Sequence, residues 1–186
     1  MMPPSVRAEE IIRRMPSGPI RGAEIGVFKG QMSAILLSRL PGLTLYMVDS
    51  WAPTEAQPQA YKDCGDFHAG LGAEKQERCY REALAAVRFA LDRAVVMRMD
   101  SAVAALRVDD GSLDFVFIDA DHSLPGVLAD IDSWSRKVKP GGLLCGHDYD
   151  HPIKTGFGVK AGVDLRASER GWNVTLGADM TWLVRL

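Results

Sequence analysis

The side chains best suited to chemistry lie in two short segments, each directly after an apolar run. The segment DADH at 119–122 follows the run 113–118, and HDY at 147–149 follows the run 143–146. Carboxylates and imidazoles exchange protons near neutral pH, and both bind metal ions. Buried charges are costly unless they are paired or bound to a metal. The carboxylates, the two imidazoles and the phenol of these segments therefore predict a functional cleft. The structural alternative is an Asp–His pair that closes one end of a sheet.

The apolar pattern around these segments predicts strands that alternate with helices. The predicted strands are 23–28, 43–48, 94–99, 113–118 and 143–146, followed by an antiparallel pair at 172–176 and 181–184. The predicted helices are 32–40, 73–91, a short one ending at 105, 128–138 and 159–170. This alternation is typical of an α/β fold with a doubly wound, mostly parallel sheet, here of seven strands. Ligands of such sheets bind beyond the carboxyl ends of the strands.

The length of the chain fits one domain, and no repeat or linker divides it, so residues 1–186 are expected to fold as a unit. Residues 1–20 are predicted to form an N-terminal helical extension. The segment 50–72 is polar, contains two prolines and carries the aromatic residues Trp51, Tyr61 and Phe67. We expect it to be a long loop that forms part of the substrate site.

The first predicted strand leads into a glycine turn, EIGVFKG at 24–30. Gly26 and Gly30 allow a tight turn and a close approach of the backbone to a ligand. The helix that follows directs free N–H groups to the same place. The spacing ExGxxxG differs from the dinucleotide fingerprint GxGxxG, which needs a further glycine. Turn geometry alone is the alternative explanation for both glycines.

Acidic residues follow the next two predicted strands. Asp49 stands at a strand end about 20 residues after the glycine turn, where a carboxylate can bind the hydroxyls of a ribose. Asp100 and Ser101 follow the third strand. Side chains at this position either bind a ligand or cap the next helix by accepting hydrogen bonds from its first N–H groups. The sequence leaves both alternatives open.

The composition argues against several classes of function. Lys plus Arg is 22 and Asp plus Glu is 24, so the net charge of −2 argues against nucleic acid as the main partner. No apolar run approaches the roughly 18 residues of a membrane span. Residues 1–15 lack the apolar core of a signal peptide, and the three cysteines show no CxxC spacing. We expect a cytoplasmic protein with a small-molecule partner and no membrane partner; a homodimer remains open.

Five segments, taken together and in order, resemble the class I S-adenosylmethionine-dependent methyltransferases. They are AEIGVFKG, LYMVDSW, the acidic Asp100, FVFIDADHS and KPGGLLCGHDY, and they extend from about residue 22 to residue 148. The similarity is greatest to a small bacterial branch in which strand four ends in IDADH and strand five ends in GHDY. The TWLVRL segment at the end of the chain also resembles that branch. The resemblance implies a Rossmann-like sheet and S-adenosylmethionine as the cofactor.

The resemblance also assigns roles to individual residues. The glycine turn matches the first cofactor motif, which packs against the methionine part of S-adenosylmethionine. Asp49 matches the acid at the ribose, Asp100 matches the acid near the adenine, and Asp119 lies beside the methionine part and the substrate. The cofactor-binding residues expected on these grounds are Glu24, Gly26, Gly30, Asp49, Asp100, Ser101 and Asp119.

A more distant similarity is to the metal-dependent catechol and caffeoyl-coenzyme A O-methyltransferases. Their divalent cation is bound by the first Asp after strand four and by an Asp-Asn pair after strand five. Asp119, His147 and Asp148 stand at these positions here, and His122 stands at the position of their basic Lys. The resemblance therefore implies a metal site formed by Asp119, His147 and Asp148, for Mg²⁺ or Mn²⁺, although an imidazole ligand favours a softer ion.

These matches imply methyl transfer to a hydroxyl of a small molecule. His122 is the first candidate for a general base and His147 the second, because the pKa of imidazole lies near working pH. A metal ion would instead acidify the hydroxyl directly. Two other classes share the fold and the glycine turn, namely a nicotinamide-dependent oxidoreductase and a domain that binds the cofactor without catalysis. His122 could also cap the next helix and never contact the substrate.

Overall fold

The computed structural model describes residues 2–151 and 156–186. In chain order its helices are α1 (Pro4–Ile12), α2 (Gln31–Arg39), α3 (Gln59–Asp63), α4 (Ala73–Ala86), α5 (Ser101–Ala105), α6 (Leu124–Trp134) and α7 (Val159–Arg170). Its strands are β1 (Ile20–Ile25), β2 (Leu43–Asp49), β3 (Ala94–Arg98), β4 (Leu113–Ile118), β5 (Val138–Gly146), β6 (Thr175–Leu176) and β7 (Trp182–Arg185). None of the helices within these two ranges is long and apolar enough to cross a bilayer.

The strands form one seven-stranded sheet in the order β3-β2-β1-β4-β5-β7-β6. Strands β1 to β5 are parallel to their neighbours, and β7 runs antiparallel to both β5 and β6. This confirms the predicted α/β, doubly wound, mostly parallel sheet with a C-terminal antiparallel pair. The strand order reverses between β1 and β4, so a ligand crevice is expected beyond the carboxyl ends of these two strands.

Alternate side chains of the central strands pack on opposite faces of the sheet. Phe115 and Phe117 of β4 pack in one core with side chains from α1, α2 and α4. Val116 and Ile118 point the other way and pack in a second core with side chains from α5, α6 and α7. The continuous apolar run of β4 is explained by this burial on both faces, as in other parallel sheets.

Strand β1 begins and ends earlier than the predicted range 23–28. It ends at Ile25 because Gly26 has a φ of +90°, which turns the chain out of the strand. A Cβ atom at Gly26 would lie 2.0 Å from the carbonyl oxygen of Asp119, so only glycine fits where β1 and β4 end side by side. This glycine is therefore required by the packing of the two strand ends.

Two predicted boundaries around α6 and β5 were wrong. The helix predicted at 128–138 begins at Leu124, because the Ser123 hydroxyl accepts a hydrogen bond from Gly126 N–H and Pro125 occupies the first turn. The segment 140–142 does not end a helix but lies inside β5. A register shift against β4, between Leu113 and Phe115, accommodates this Pro-Gly-Gly segment within the strand.

Other segments contain more local structure than predicted, or less. The segment 50–72, expected to be one long loop, contains α3 and the 3₁₀ turns Thr54–Ala56 and Phe67–Gly70. The N-terminal extension 1–20 is helical only over α1, and Ile20 already belongs to β1. Helix α4 ends at Ala86 rather than at residue 91. Strand β6 is shorter than the predicted 172–176, and β7 is shifted by one residue from the predicted 181–184. Helix α7 has the predicted bounds.

Candidate active site

A cleft of about 640 Å³ lies at the carboxyl ends of the parallel strands. All the predicted site residues line it except Gly30; those that do are Glu24, Gly26, Asp49, Asp100, Ser101, Asp119, His122, His147 and Asp148. Gly30 is the N-cap of α2 with a φ of +72°, and a Cβ atom there would lie 3.0 Å from the backbone of Ala83. Turn geometry and helix packing are sufficient to explain this glycine, and its contact with a cofactor stays a prediction.

Glu24, near the end of β1, is a buried carboxyl group at one side of the cleft. Only 3% of its surface is exposed, and the hydroxyl of Ser33 donates a hydrogen bond to it. Burial raises the pKa of Glu24 to about 8, and the nearby carboxylate of Asp119 acts in the same direction, while the Ser33 bond opposes them. Glu24 is therefore mostly neutral at pH 7, and a cationic ligand group beside it would favour its ionised form.

Asp49, at the end of β2, is fixed by three backbone N–H groups. Its Oδ2 accepts hydrogen bonds from Val27 at 3.0 Å and Phe28 at 2.8 Å, and its Oδ1 accepts one from Trp51 at 2.8 Å. Burial raises the pKa of Asp49, and the three N–H groups oppose this shift. Phe28 and Trp51 both have positive φ values, 53° and 44°, which are uncommon outside glycine. The acid thus connects the turns after β1 and β2.

Asp100 and Ser101 lie at the start of α5. The Asp100 side chain accepts hydrogen bonds from Ala102 N–H at 2.9 Å and Val103 N–H at 3.2 Å, which is the capping alternative that the sequence left open. The Ser101 hydroxyl donates to Asp130 Oδ1 at 2.5 Å. Burial raises the pKa of Asp130 to about 7. Both Asp100 and Ser101 nevertheless line the cleft.

The polar segments after β4 and β5 converge, as predicted. Ile118 pairs with Gly146 in the sheet, so Asp119 and His147 follow side by side. His122 lies above them with its Nε2 atom 3.3 Å from Asp119 Oδ1 and 3.1 Å from Asp148 Oδ2. We call His122, Asp66, Asp119 and Asp148 the His122 cluster.

Asp66 completes this cluster from the segment between β2 and α4. Its Oδ2 lies 2.5 Å from His122 Nδ1. Because a carboxylate can only accept a hydrogen bond, Nδ1 carries a hydrogen and Nε2 faces Asp119 and Asp148. Asp66 also accepts hydrogen bonds from the backbone N–H and ring Nδ1 of His68, both at 2.9 Å. The imidazole of His122 is thereby held in one orientation.

The environment of His122 changes its acid–base properties. Burial alone would lower the pKa of His122, but hydrogen bonds to Asp119, Asp148 and Asp66 outweigh it and hold the pKa well above its usual value. Burial likewise tends to raise the pKa of Asp66 and of Asp148, yet the bonds to His122 lower both. The expectation of an imidazole pKa near working pH is therefore corrected, because the carboxylates around His122 favour its protonated form and raise its pKa.

His147 is more enclosed than His122. It is 1% exposed, its Nδ1 lies 3.2 Å from Asp148 Oδ1, and its Nε2 lies 3.2 Å from Asp179 Oδ2. Burial opposes its charged form, but these carboxylates raise the pKa of His147. The phenol of Tyr149 does not join the cleft, since its hydroxyl donates to Asp164 of α7 at 2.5 Å. The predicted convergence thus holds for the carboxylates and imidazoles but not for the phenol.

The described residues bring one set of metal-ligand atoms together. Asp119, His122 and Asp148 each offer one such atom, and these atoms lie within 4.8 Å of one another. This set contains His122 in place of the predicted His147. Nδ1 of His147 lies 3.8 Å from Asp119 and 3.2 Å from Asp148, and its other nitrogen faces Asp179. The metal site of Asp119, His147 and Asp148 stays a prediction, and His122 is a further candidate ligand.

Residues 23–149 match the family model described as a methyltransferase domain. The chain belongs to this family. It is a class I S-adenosylmethionine-dependent methyltransferase, as the resemblance implied, which decides against the nicotinamide-dependent alternative. No curated protein matches its sequence.

Solved structures share the fold of this methyltransferase at low sequence identity. A protein from Corynebacterium glutamicum is 15% identical with a TM-score of 0.66, and covers 96% of this chain and 78% of its own. The O-methyltransferase NovP is 14% identical with a TM-score of 0.63, over 96% and 78%. A SAM-dependent methyltransferase from Aquifex aeolicus is 13% identical with a TM-score of 0.60, over 99% and 97%. At these identities the likeness shows the fold alone.

Three cleft residues of the methyltransferase could not be found from the sequence. Arg7 of α1 places Nη1 3.3 Å from Asp119 Oδ2, and no local motif marks it. Asp66 caps the turn Phe67–Gly70, which is a readable local signal, but its partner His122 is 56 residues away. His68, which follows Asp66 by two positions in the polar segment 50–72, lines the cleft beside it.

Proposed function

We propose that this methyltransferase transfers the methyl group of S-adenosylmethionine to a hydroxyl oxygen of a small molecule. The observation that carries the proposal is the His122 cluster, which lies in the same cleft as Glu24 and Asp49, at the point where the strand order reverses. NovP, which has the same fold, is described as an O-methyltransferase and supports the choice of oxygen.

The proposed cofactor position follows the strand ends. Glu24 and the Gly26 turn would bind the methionine part, where a neutral Glu24 can ionise as the ammonium group of the cofactor arrives. Asp49 would accept hydrogen bonds from the ribose hydroxyls, and Ser101 would lie at the adenine. With the cofactor bound in this order, the sulfonium would lie between Glu24 and the His122 cluster, a position that the adjacency of β1 and β4 supports.

The His122 cluster would bind and orient the acceptor hydroxyl. Orientation of the oxygen against the methyl group supplies much of the rate in a displacement at carbon. The oxygen–carbon bond forms as the carbon–sulfur bond breaks, the electron pair stays on sulfur, and S-adenosylhomocysteine results. The hydroxyl proton would go to Nε2 of His122 in the fraction of the enzyme in which this imidazole is deprotonated, because an imidazolium cannot accept a proton. The imidazole and the carboxylates of the cluster titrate as one coupled unit.

The donor set also fits a divalent ion. Two carboxylate oxygens and one imidazole nitrogen face one another, and Asp66 holds the second nitrogen of His122, as carboxylates do for metal-bound histidines. A bound ion would supply Lewis-acid acidification of the acceptor hydroxyl. Asp66 would then keep Nε2 directed at the ion, and the imidazole in the set favours Mn²⁺ or Zn²⁺ over Mg²⁺.

The test is formation of S-adenosylhomocysteine from S-adenosylmethionine with a panel of phenols and sugars and a matched panel of amines. We expect product with a hydroxyl acceptor and loss of activity in EDTA that Mn²⁺ or Zn²⁺ restores. Full activity in the chelated enzyme would assign the proton transfer to the cluster without a metal. Turnover confined to the amines would contradict O-methylation.

A cytoplasmic location is also part of the proposal. The three cysteines, Cys64, Cys79 and Cys145, are all free and buried. Unpaired cysteines are typical of proteins in reducing compartments.

A further inference from the structure

A short chain of hydrogen bonds connects α6 to the start of α5 at one end of the cleft. The indole Nε1 of Trp134 donates to the hydroxyl oxygen of Ser101 at 2.8 Å, and this hydroxyl in turn lies 2.5 Å from Asp130 Oδ1. An indole N–H can only donate, so Ser101 must accept from Trp134. The single hydroxyl hydrogen of Ser101 is then directed to the carboxylate of Asp130.

These two bonds determine what Ser101 can offer to a ligand. A serine hydroxyl has one hydrogen and two lone pairs. Ser101 donates its hydrogen to Asp130, and one of its lone pairs accepts the hydrogen bond from Trp134. The second lone pair can therefore accept a hydrogen bond from a ligand. Ser101 is partly exposed and lines the cleft, whereas Asp130 is 4% exposed and its Oδ2 has no hydrogen-bond partner within the described ranges. Asp130 also lines the cleft, and its hydrogen bond to Ser101 gives it a way to act on a ligand through that hydroxyl.

We propose that Asp130 and Trp134 hold the Ser101 hydroxyl as a hydrogen-bond acceptor for the exocyclic amino group of adenine, so that this end of the cleft selects an adenine base. The proposal rests on the proposed function, which places the adenine of S-adenosylmethionine here. Asp130 is a positioning residue in this account, since it acts through Ser101.

The surroundings of Ser101 fit a flat heterocycle. The lining of the cleft includes the apolar or small residues Met99, Ala102, Pro125 and Ala129, together with the carboxyl groups of Asp100, Asp121 and Asp130. The N–H groups of Ala102 and Val103 are already bonded to Asp100, so they do not compete for the base. A carbonyl in place of the amino group would face the Ser101 lone pair without a hydrogen between them, which is unfavourable.

The experiment compares S-adenosylhomocysteine with S-inosylhomocysteine, which carries a carbonyl where adenine carries the amino group. Calorimetry at pH 8.5 keeps Asp130 ionised. The proteins are the wild type, Asp130→Ala, Asp130→Asn and Ser101→Ala, with Asp132→Asn as the matched control. Asp132 lies on the same helix but pairs with Arg166 and Arg170.

We expect the wild type and Asp132→Asn to bind the adenosyl ligand roughly 10–100-fold more tightly than the inosyl ligand, the usual effect of one unmatched polar contact. Asp130→Ala frees the Ser101 hydroxyl to rotate and donate, so the ratio should fall to within a few-fold of one. Asp130→Asn keeps a carbonyl acceptor for Ser101 and should retain most of the preference. A purely structural role of Asp130 would weaken both ligands equally and leave the ratio unchanged.

An unchanged ratio in Asp130→Ala would overturn the proposal. If Asp130→Ala does not fold, the Ser101→Ala variant provides the test. Because this variant lacks the acceptor, its preference for the adenosyl over the inosyl ligand should also decrease. An unchanged preference in Ser101→Ala would overturn the proposal as well. Failure of the wild type to bind S-adenosylhomocysteine at all would contradict the proposed function instead, so the two failures are distinguishable.

Discussion

His122 is the residue on which the proposed chemistry depends most. Its imidazole lies against the carboxylates of Asp66, Asp119 and Asp148, and its Nε2 atom faces both candidate metal ligands. Its raised pKa follows from these neighbours rather than from histidine itself. The residue therefore acts as part of a cluster, and its removal should affect turnover more than cofactor binding.

Replacement of His122 by Ala should lower kcat roughly 10²–10⁴-fold, the usual effect of losing a positioned acid–base group. The affinity for S-adenosylhomocysteine should change little, because Glu24, Asp49 and Ser101 are untouched. In the wild type, the limb of the pH–rate profile that reports His122 should lie above the ordinary imidazole pKa and should vanish in the variant. Near-normal turnover, or a loss explained by weaker cofactor binding, would contradict the catalytic role.

Asp130 should make the stability of the protein depend on pH. Its pKa is raised to about 7 by burial, above the unfolded value near 3.9, so the folded state binds more protons between these values. The free energy of unfolding should therefore fall as pH rises from about 4 to about 7. In Asp130→Asn this fall should be smaller by roughly 1–3 kcal/mol. The measurement is urea unfolding across this pH range. If the free energy of unfolding changes with pH as much in Asp130→Asn as in Asp132→Asn, Asp130 is not the group responsible for the dependence.

At the scale of elements, the segment between β2 and α4 is part of the site. Its 3₁₀ turn is capped by Asp66, and the same carboxylate bonds His122. The sequence identified this segment as a substrate loop from its polarity and aromatic residues. It could not reveal α3 or the bond to His122, because these depend on contacts between residues far apart in the chain.

Asp66→Asn should remove the charge that supports the His122 imidazolium while keeping a group of the same size. We expect the pKa of His122 to decrease and the corresponding limb of the pH–rate profile to move to lower pH. The bond to a charged group is worth about 1.5–3 kcal/mol, so stability at pH 7 should also fall. Asp63→Asn is the matched control, since Asp63 lies in the same segment and is bonded only to Gln59 in the described part of the chain. An unmoved pH limb would exclude the positioning role of Asp66.

Some boundaries of helices and strands could be predicted from the local sequence, and others could not. The bounds of β4 and α7 were predicted correctly, because a doubly buried strand and an amphipathic helix have clear patterns. The predicted start of α6 is four residues late, because the prediction did not use the capping Ser123 or Pro125 in the first turn. The Pro-Gly-Gly segment lies inside β5, although Pro and Gly usually end a helix or strand. The register shift that accommodates it cannot be recognised from the sequence of one strand.

At the scale of the whole molecule, the order of strands is what assembles the site. The alternation of strands and helices predicted a parallel sheet, and the sheet brings the ends of β1, β4 and β5 side by side. That rule was sufficient to predict the convergence of Asp119, His122, His147 and Asp148. Arg7, which reaches Asp119 from α1, could not be predicted. The rule concerns residues at the carboxyl ends of the strands and does not say where a helix that precedes the sheet will pack.

The most direct test of the account is calorimetric titration with S-adenosylhomocysteine and, in parallel, NAD⁺. We predict that S-adenosylhomocysteine binds with micromolar affinity and that NAD⁺ does not bind. Asp49→Ala should weaken S-adenosylhomocysteine by about 1–3 kcal/mol, the cost of leaving ribose hydroxyls unpaired, in protein whose fold is verified by circular dichroism. Tight binding of NAD⁺ without any response to S-adenosylhomocysteine would contradict the account.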